Sequence, residues 1–211
     1  DERVIVANVD QMAIVISAAN PEPKVGLVDR ALVVAYDQGI KPIIVMTKKD
    51  LASGDEFLQI YKDLDIPVFK TDKSSDLSSL QEVLAGKITV LLGHSGVGKS
   101  TLVNNLLASS VNKVSEFGIE NGERVTGDVN EVTGRGRHTT SSAIALPLSS
   151  SFDGADFGWI IDTPGVRSFG IAHIQAARVI SSFPEFSEAI ANCQKNCTHN
   201  EPGCALIIGQ R

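Results

Sequence analysis

The run Ile88-Thr89-Val90-Leu91-Leu92 passes without a break into Gly93-His94-Ser95-Gly96-Val97-Gly98-Lys99-Ser100-Thr101. A strand-sized apolar segment thus feeds the spacing G-x-x-x-x-G-K-[ST], and no other feature of the chain constrains its fold as tightly. Glycine at these points lets successive main-chain N–H groups turn inward around an anion without Cβ clashes. A helix opening near Lys99 adds the positive end of its dipole to the same place. The spacing therefore requires strand, loop and helix in succession, the unit from which open α/β sheets are assembled. In such a loop Lys99 reaches the β- and γ-phosphates of a nucleotide and the Ser100 hydroxyl ligates Mg²⁺. The loop by itself does not choose the base.

The rest of the chain supplies the sheet that this loop needs. Val4–Val9, Met12–Ser17, Ile43–Thr47, Ile66–Phe69, Ile88–Leu92 and Trp159–Asp162 read as short strands, several apolar on both faces, as a parallel sheet covered by helices demands. Helical spacing occurs in Leu27–Gln38, Asp55–Leu64, Leu77–Leu84 and Lys99–Ala108. Alternation of this kind predicts a mostly parallel sheet with helices on both faces. From Ser109 to His138 the pattern gives way to a polar stretch broken by five glycines, read as a long mobile loop of the kind that is usually functional or disordered, and Ser149–Asp156 reads as a polar, flexible connection between two strands. After Gly170 the sheet pattern ends, and Ile174–Phe183 and Glu185–Ala191 look helical.

Two further elements narrow the nucleotide. The strand Ile43–Met46 ends in Thr47-Lys48-Lys49-Asp50, similar to the guanine-reading N/T-K-x-D element found at the carboxyl edge of a strand, where open α/β sheets place ligands. Asp50 can accept hydrogen bonds from guanine N1–H and the 2-amino group. Adenine offers neither donor, so a buried Asp50 would go unpaired beside it, and sites of that type discriminate by on the order of 10⁴-fold. The Lys48 stem would lie over the base, and Thr47 stands where Asn is commoner. A third guanine contact would follow the next strand, where Thr71-Asp72-Lys73 stands without the usual Ser-Ala pair; a main-chain N–H of this turn is the candidate donor to guanine O6.

Asp162-Thr163-Pro164-Gly165 fits D-x-x-G at a strand end. Asp162 would hold Mg²⁺ through water and the Gly165 N–H would sense the γ-phosphate. Gly134-Arg135-Gly136-Arg137-His138-Thr139-Thr140 closes the long loop, and Thr140, with Thr139 the alternative, could close over Mg²⁺ and the γ-phosphate. Val166 follows Gly165, and its side chain cannot hydrogen-bond a water. His138 is then the candidate to orient the attacking water; the other reading of His138 is a contact to RNA or backbone. Arg135 and Arg137 face phosphate or solvent.

The order of these elements is itself informative, because the base reader precedes the phosphate loop, which precedes both switches. A circularly permuted chain builds the same sheet, since the site depends on spatial neighbours. With Ala7–Gln11, Thr47–Asp50, Gly93–Thr101, Gly134–Thr140, Asp162–Gly170 and the Cys/His cluster below, the chain resembles the RsgA (YjeQ) family of circularly permuted GTPases over essentially its whole length. The resemblance implies a permuted GTPase domain over residues 1–170 and a C-terminal zinc-knuckle region over 171–211. It also implies an OB-fold domain upstream, in keeping with a chain that opens on Asp1 and enters an apolar run at Val4. The implied activity is hydrolysis of GTP to GDP and phosphate, stimulated by the small (30S) ribosomal subunit and its rRNA in late subunit maturation, by a cytoplasmic monomer.

Cysteine usage fits that picture. All three cysteines lie in Cys193-x₃-Cys197-x-His199-x₄-Cys204, a Cys₃His set whose number and softness suit a structural Zn²⁺, whereas a disulfide framework would be spread along the chain. His94 and His173 read as structural or solvated. The net charge of −6 argues against coating nucleic acid by bulk electrostatics and leaves local patches open. No apolar run approaches the ~20 residues of a membrane span. Two competing readings are a nucleotide-gated rRNA-binding module with little hydrolysis of its own, and an adenine-nucleotide ATPase or kinase.

Overall fold

The computed structural model describes residues 8–108, 129–130, 135–136, 144–149, 157–163, 179–180, 183, 186–194, 197, 199 and 201–208. Arg137, His138, Thr139, Thr140, Gly165, Val166, His173, the 150–156 connection, most of 174–183 and the Val4–Ala7 part of the first expected strand lie outside those residues.

The described elements run β1 (Gln11–Ser17), α1 (Val25–Asp37), β2 (Lys41–Thr47), α2 (Asp55–Leu58), a 3₁₀ turn (Gln59–Tyr61), β3 (Val68–Lys70), α3 (Ser78–Leu84), β4 (Ile88–Leu92), α4 (Lys99–Ala108), β5 (Val129–Asn130), β6 (Arg135–Gly136), β7 (Ile144–Ser149), β8 (Phe157–Asp162), α5 (Ser187–Ala191) and α6 (Ala205–Ile208). One six-stranded sheet has the order β3-β2-β1-β4-β8-β7. All its pairings are parallel except β7 with β8. The chain lays β2 and β3 on one side of β1, then crosses to place β4 on the other. The carboxyl ends of β1 and β4 therefore flank the switch point at which open α/β sheets bind ligands, and Gly93 follows directly from β4.

Both faces of the sheet are buried, as the continuous apolar strands require. On one face Ala13, Val15, Ile43, Val45, Leu91 and Ile160 pack with Leu80 and Leu84 of α3 and Leu102, Val103 and Leu106 of α4. On the other, Met12, Ile14, Ile16, Ile44, Met46, Val90 and Leu92 pack with Val28, Ala31, Leu32 and Ala35 of α1 and with Tyr61. Inside this core Gln11, 1% exposed, donates to Thr89 Oγ1 at 2.8 Å and Val83 O at 3.2 Å, so its amide satisfies groups on β4 and α3.

Several expected bounds shift: among them, Asn8 and Val9 lie outside any strand, and Ser149 ends β7. The helix expected over Asp55–Leu64 is one turn of α2 followed by the 3₁₀ turn, because seating Tyr61 wins over continued propensity. Its ring is buried and its hydroxyl donates to Asp29 Oδ1 at 2.9 Å, and Pro67 beyond it disfavours helix at Ile66. The strand expected over Ile66–Phe69 starts at Val68, since Pro67 has no N–H to give a ladder and the Ile66 N–H turns to Leu64 O. In the tail, α5 spans Ser187–Ala191, and Glu185, the expected start of that helix, lies outside the described residues. Part of the long loop is ordered by pairing: β5 and β6 form a short antiparallel ribbon.

One strand that the sequence reading did not bound is β7. Its Pro147 stands opposite Trp159, whose N–H is turned away to Lys87 O. The proline is thus never asked for a donor, and it sits on the last strand of the sheet, where prolines are tolerated.

Candidate functional site

Three segments converge at the carboxyl edge of the sheet. The phosphate loop leaves β4 at Gly93, where an added Cβ would lie 2.4 Å from Val15 O, so only glycine lets the loop pass this close to β1. It reaches α4 through Gly98, whose φ of +96° is a conformation that favours glycine. Lys99 is 7% exposed, and its ammonium folds back to donate to Gly93 O at 2.9 Å and His94 O at 3.1 Å. Main-chain carbonyls thus hold the charge at the centre of the loop.

The end of β2 is bound to that loop side by side. Thr47 is buried, and its hydroxyl lies 2.5 Å from Val97 O and 3.1 Å from Ile16 O, two acceptors for one donor proton. Lys48, at φ +57°, sends its ammonium to Asn20 O and to Gly96 O, the latter at 2.9 Å. Burial pushes the Lys48 ammonium below lysine's ordinary value, with Asp50 pulling it back up and Lys73 lowering it further. The segment after β1, the end of β2 and the phosphate loop are thereby one hydrogen-bonded assembly. The carbonyl of Asn20 is a part of it that no sequence motif signals.

Beside this assembly opens a cavity of about 260 Å³, lined by Thr47 at the end of β2 with Lys48 and Asp50 just beyond it, Thr71, Asp72 and Lys73 from the turn after β3, and Gly98 of the phosphate loop with Thr101 and Asn105 of α4, together with Leu51 and Leu102. Its walls are the three segments that the sequence reading assigned separately to base, third contact and phosphate. Asp50 is exposed rather than buried, so a ring placed against its carboxylate would cover it. Asn105 was missed by the motif reading, although its place one turn beyond Thr101 on α4 puts it on the same helix face.

The turn after β3 is pinned at both ends. The Thr71 N–H donates to Met46 O at 2.7 Å and the Lys49 N–H to Thr71 O at 3.1 Å. The Asp72 carboxylate accepts the Ser74 hydroxyl at 2.9 Å, the Ser74 N–H at 2.8 Å and the Ser75 hydroxyl at 2.9 Å, and lies 3.8 Å from Lys49 Nζ. Those hydrogen bonds, led by the Ser74 hydroxyl, hold Asp72 below the usual carboxylate range.

On the opposite side of the phosphate loop, β8 runs parallel to β4 with Leu91 beside Asp162. Asp162 is 1% exposed, and Thr163 Oγ1 donates to Leu91 O at 2.7 Å. Asp162 and Ser100 offer oxygen donors only, which is the set a hard divalent cation takes.

The tail holds a second cluster. Cys193 Sγ lies 3.6 Å from His199 Nδ1 and 3.8 Å from Cys204 Sγ, and Cys204 Sγ lies 3.6 Å from His199 Nδ1. With Cys197 included, all four ligand atoms fall within 4.8 Å of one another. An ion held tetrahedrally, about 2.3 Å from sulfur and 2.0–2.1 Å from nitrogen, would space its ligands by about 3.8 Å for S···S and 3.6 Å for S···N. The three edges match those values, so the cluster could hold a metal ion. Cys197 is turned toward Glu201, whose carboxylate accepts its thiol at 3.0 Å and pushes that thiol up to about 12. Left-handed backbone at His199 and Gly203 folds the chain back to bring Cys204 to the others. Phe183 meets Tyr36 of α1 edge-on at 5.2 Å and Phe186 at 6.0 Å, which joins the tail to the sheet domain.

Comparison with known proteins bears directly on this arrangement. A family model described as RsgA GTPase matches residues 1–172. The small ribosomal subunit biogenesis GTPase RsgA of Pseudomonas syringae pv. syringae is 37% identical over 97% of the chain and 57% of its own length. Its namesake from Neisseria gonorrhoeae is 40% identical over 97% of the chain and 62% of its own length. The chain thus spans about three fifths of these relatives. Among solved structures, YjeQ from Thermotoga maritima superposes with a TM-score of 0.65 at 29% identity, over 97% of this chain and 65% of that one. YloQ, described as a circularly permuted GTPase, gives 0.63 at 28% identity over 96% and 61%.

Proposed function

The chain belongs to the RsgA GTPase family, and from that premise we propose that it hydrolyses GTP to GDP and phosphate, stimulated by the small ribosomal subunit during late subunit maturation. The observation that carries this reading is the shared cavity, in which Thr47, Lys48 and Asp50, the turn after β3 and α4 face one volume beside the phosphate loop. Guanine fills it, reading Asp50 with its N1–H and 2-amino donors, while the Lys48 stem covers one ring face. The main-chain N–H groups of Gly93–Thr101 take the phosphates. Lys99 exchanges its two carbonyl partners for phosphate oxygens, and its fixed charge stabilises what develops as the γ-phosphoryl passes to water. Mg²⁺, when bound to Ser100, Asp162 and Thr140, would supply further neutralisation of that charge. Gly165 senses the γ-phosphate, and His138 orients the attacking water.

The division into a GTPase domain over 1–170 and a metal-bearing tail over 171–211, with an OB-fold domain upstream, belongs to the same reading. So do a monomeric state and a place in the cytoplasm, where subunits mature. Among the described residues no helix is long and apolar enough to cross a membrane. Zinc is the ion that a Cys₃His set with these spacings fits best, and it would stabilise a segment too small to fold alone. Cys204→Ser, at a residue 3% exposed, is expected to lower bound zinc from one equivalent to a small fraction by elemental analysis and to leave the tail cleavable by protease. Retention of a full equivalent would remove Cys204 from the ligand set.

The test of the whole reading is multiple-turnover hydrolysis of GTP and ATP, with and without purified small subunits, on this chain and on one extended upstream. Turnover restricted to GTP and raised by subunits supports it. Tight GTP-dependent docking without turnover would instead favour a nucleotide-gated rRNA-binding module, and preference for ATP would refute the guanine assignment. In the same assay His138→Ala is expected to lower stimulated turnover by about 10²-fold, the range of a lost general-base contact, with GDP affinity unchanged. Full stimulated turnover would leave His138 with no part in the chemistry.

A further inference from the structure

The third wall of the cavity departs from the small Ser-Ala pair expected at that place, and its main-chain donors can be accounted for one by one. The Thr71 N–H goes to Met46 O at 2.7 Å, the Asp72 N–H to Ser75 Oγ at 2.8 Å and the Ser74 N–H to Asp72 Oδ1 at 2.8 Å. The Lys73 N–H alone has no acceptor among the described residues, and Lys73 lines the cavity. A main-chain donor covered by a bound ring needs an acceptor from that ring. Guanine brings a carbonyl oxygen at C6, whereas adenine brings an amino group, a second donor.

Whether that N–H can discriminate depends on how firmly the turn is held, and two side chains hold it. Asp72 gathers three donors from Ser74 and Ser75 on one carboxylate oxygen, which locks the turn from inside. Asn105 of α4 donates to Lys73 O at 3.3 Å and ties the same residue to the helix that follows the phosphate loop. The Lys49 ammonium contributes less: it lies 3.8 Å from Asp72 and is 40% exposed, so its attraction is screened.

We propose that Asp72 and Asn105 are positioning residues for base specificity, which hold the Lys73 main-chain N–H toward the C6 oxygen of guanine. They act in place of the small residues usual at this wall, through the backbone and not by touching the base. The inference rests on the guanine reading of the cavity and adds the residues that set its third contact.

A chemical cycle tests it. GDP and inosine diphosphate both carry the C6 oxygen; 6-thioguanosine diphosphate keeps N1–H and the 2-amino group but presents sulfur, a weak acceptor. Calorimetric affinities of the three are compared for the unaltered chain, Asp72→Ala, Asp72→Asn and Asn105→Ala. Asp72→Ala is expected to weaken GDP and inosine diphosphate alike by about tenfold, the scale of one lost hydrogen bond, and 6-thioguanosine diphosphate by less than about twofold. Asp72→Asn keeps an acceptor oxygen for Ser74 and Ser75, and is expected to restore the unaltered affinities to within about twofold. Asn105→Ala should repeat the alanine pattern at about threefold. Equal losses for all three nucleotides, no loss for any, or an Asp72→Asn as impaired as Asp72→Ala would overturn the proposal. If the unaltered chain binds neither GDP nor inosine diphosphate, the guanine reading itself fails, a result visible before any variant is compared, and the proposal falls with it.

Discussion

Asp50→Asn is expected to weaken GDP binding by about 10³- to 10⁴-fold and to raise binding of xanthosine diphosphate above that of GDP. The carboxylate offers acceptors to two guanine donors, N1–H and the 2-amino group. An amide turns one of those acceptors into a donor aimed at a donor, and sites built on buried hydrogen bonds lose discrimination on this scale when a partner is mismatched. Xanthine carries an oxygen at C2, which the new amide N–H can meet and the original carboxylate would repel. Asp50 is exposed, so the fold should tolerate the change to within about 0.5 kcal/mol. Competition binding with guanine, xanthine and adenine diphosphates measures the effect, with a thermal melt as the control. Unchanged preference for GDP would mean that Asp50 does not read the base.

Lys99→Ala acts at the other end of the same ligand. Its ammonium is 7% exposed and held by Gly93 O and His94 O, at the centre of the loop expected to wrap the phosphates. Losing a fixed positive charge there is expected to reduce GDP affinity at least about 100-fold, which corresponds to about 2.7 kcal/mol. Turnover should fall by about 10³-fold, the range found when a preorganised transition-state contact is removed. The loop's two carbonyls can take water instead, so stability should fall by only about 1 kcal/mol. Calorimetry and single-turnover hydrolysis separate binding from chemistry. A variant that binds GDP normally would place the phosphates elsewhere.

The parts of this molecule most open to reading were those where one physical requirement dominates. The strand, glycine loop and helix at Ile88–Ala108 leave the chain a single arrangement, and its bounds in the structure are the expected ones. Continuous apolar strands announced a sheet covered on both faces, and the parallel pairings follow from it. Boundaries governed by tertiary packing were less open: Tyr61 turns inward to Asp29 and breaks a helix that propensity would continue. The strand beginning at Ile144 has no strong periodicity and carries a proline, so its edge place becomes evident only from its partner's hydrogen bonds. At the site, motif reading identified residue types at fixed spacings. It could not find Asn20, which contributes a carbonyl, or Asn105, which matters through the turn it ties.

The central claim is that an acidic side chain at the end of β2 and the main-chain cradle after β4 take hold of one guanine nucleotide between them. A crystal structure of the chain with GDP tests it most directly. The diphosphate is expected among the N–H groups of Gly96–Thr101, and the base in the cavity between Lys48 and Lys73 with its N1–H and 2-amino group on Asp50. A base lying outside that cavity while the phosphates occupy the loop, or a nucleotide that avoids the loop altogether, would contradict it.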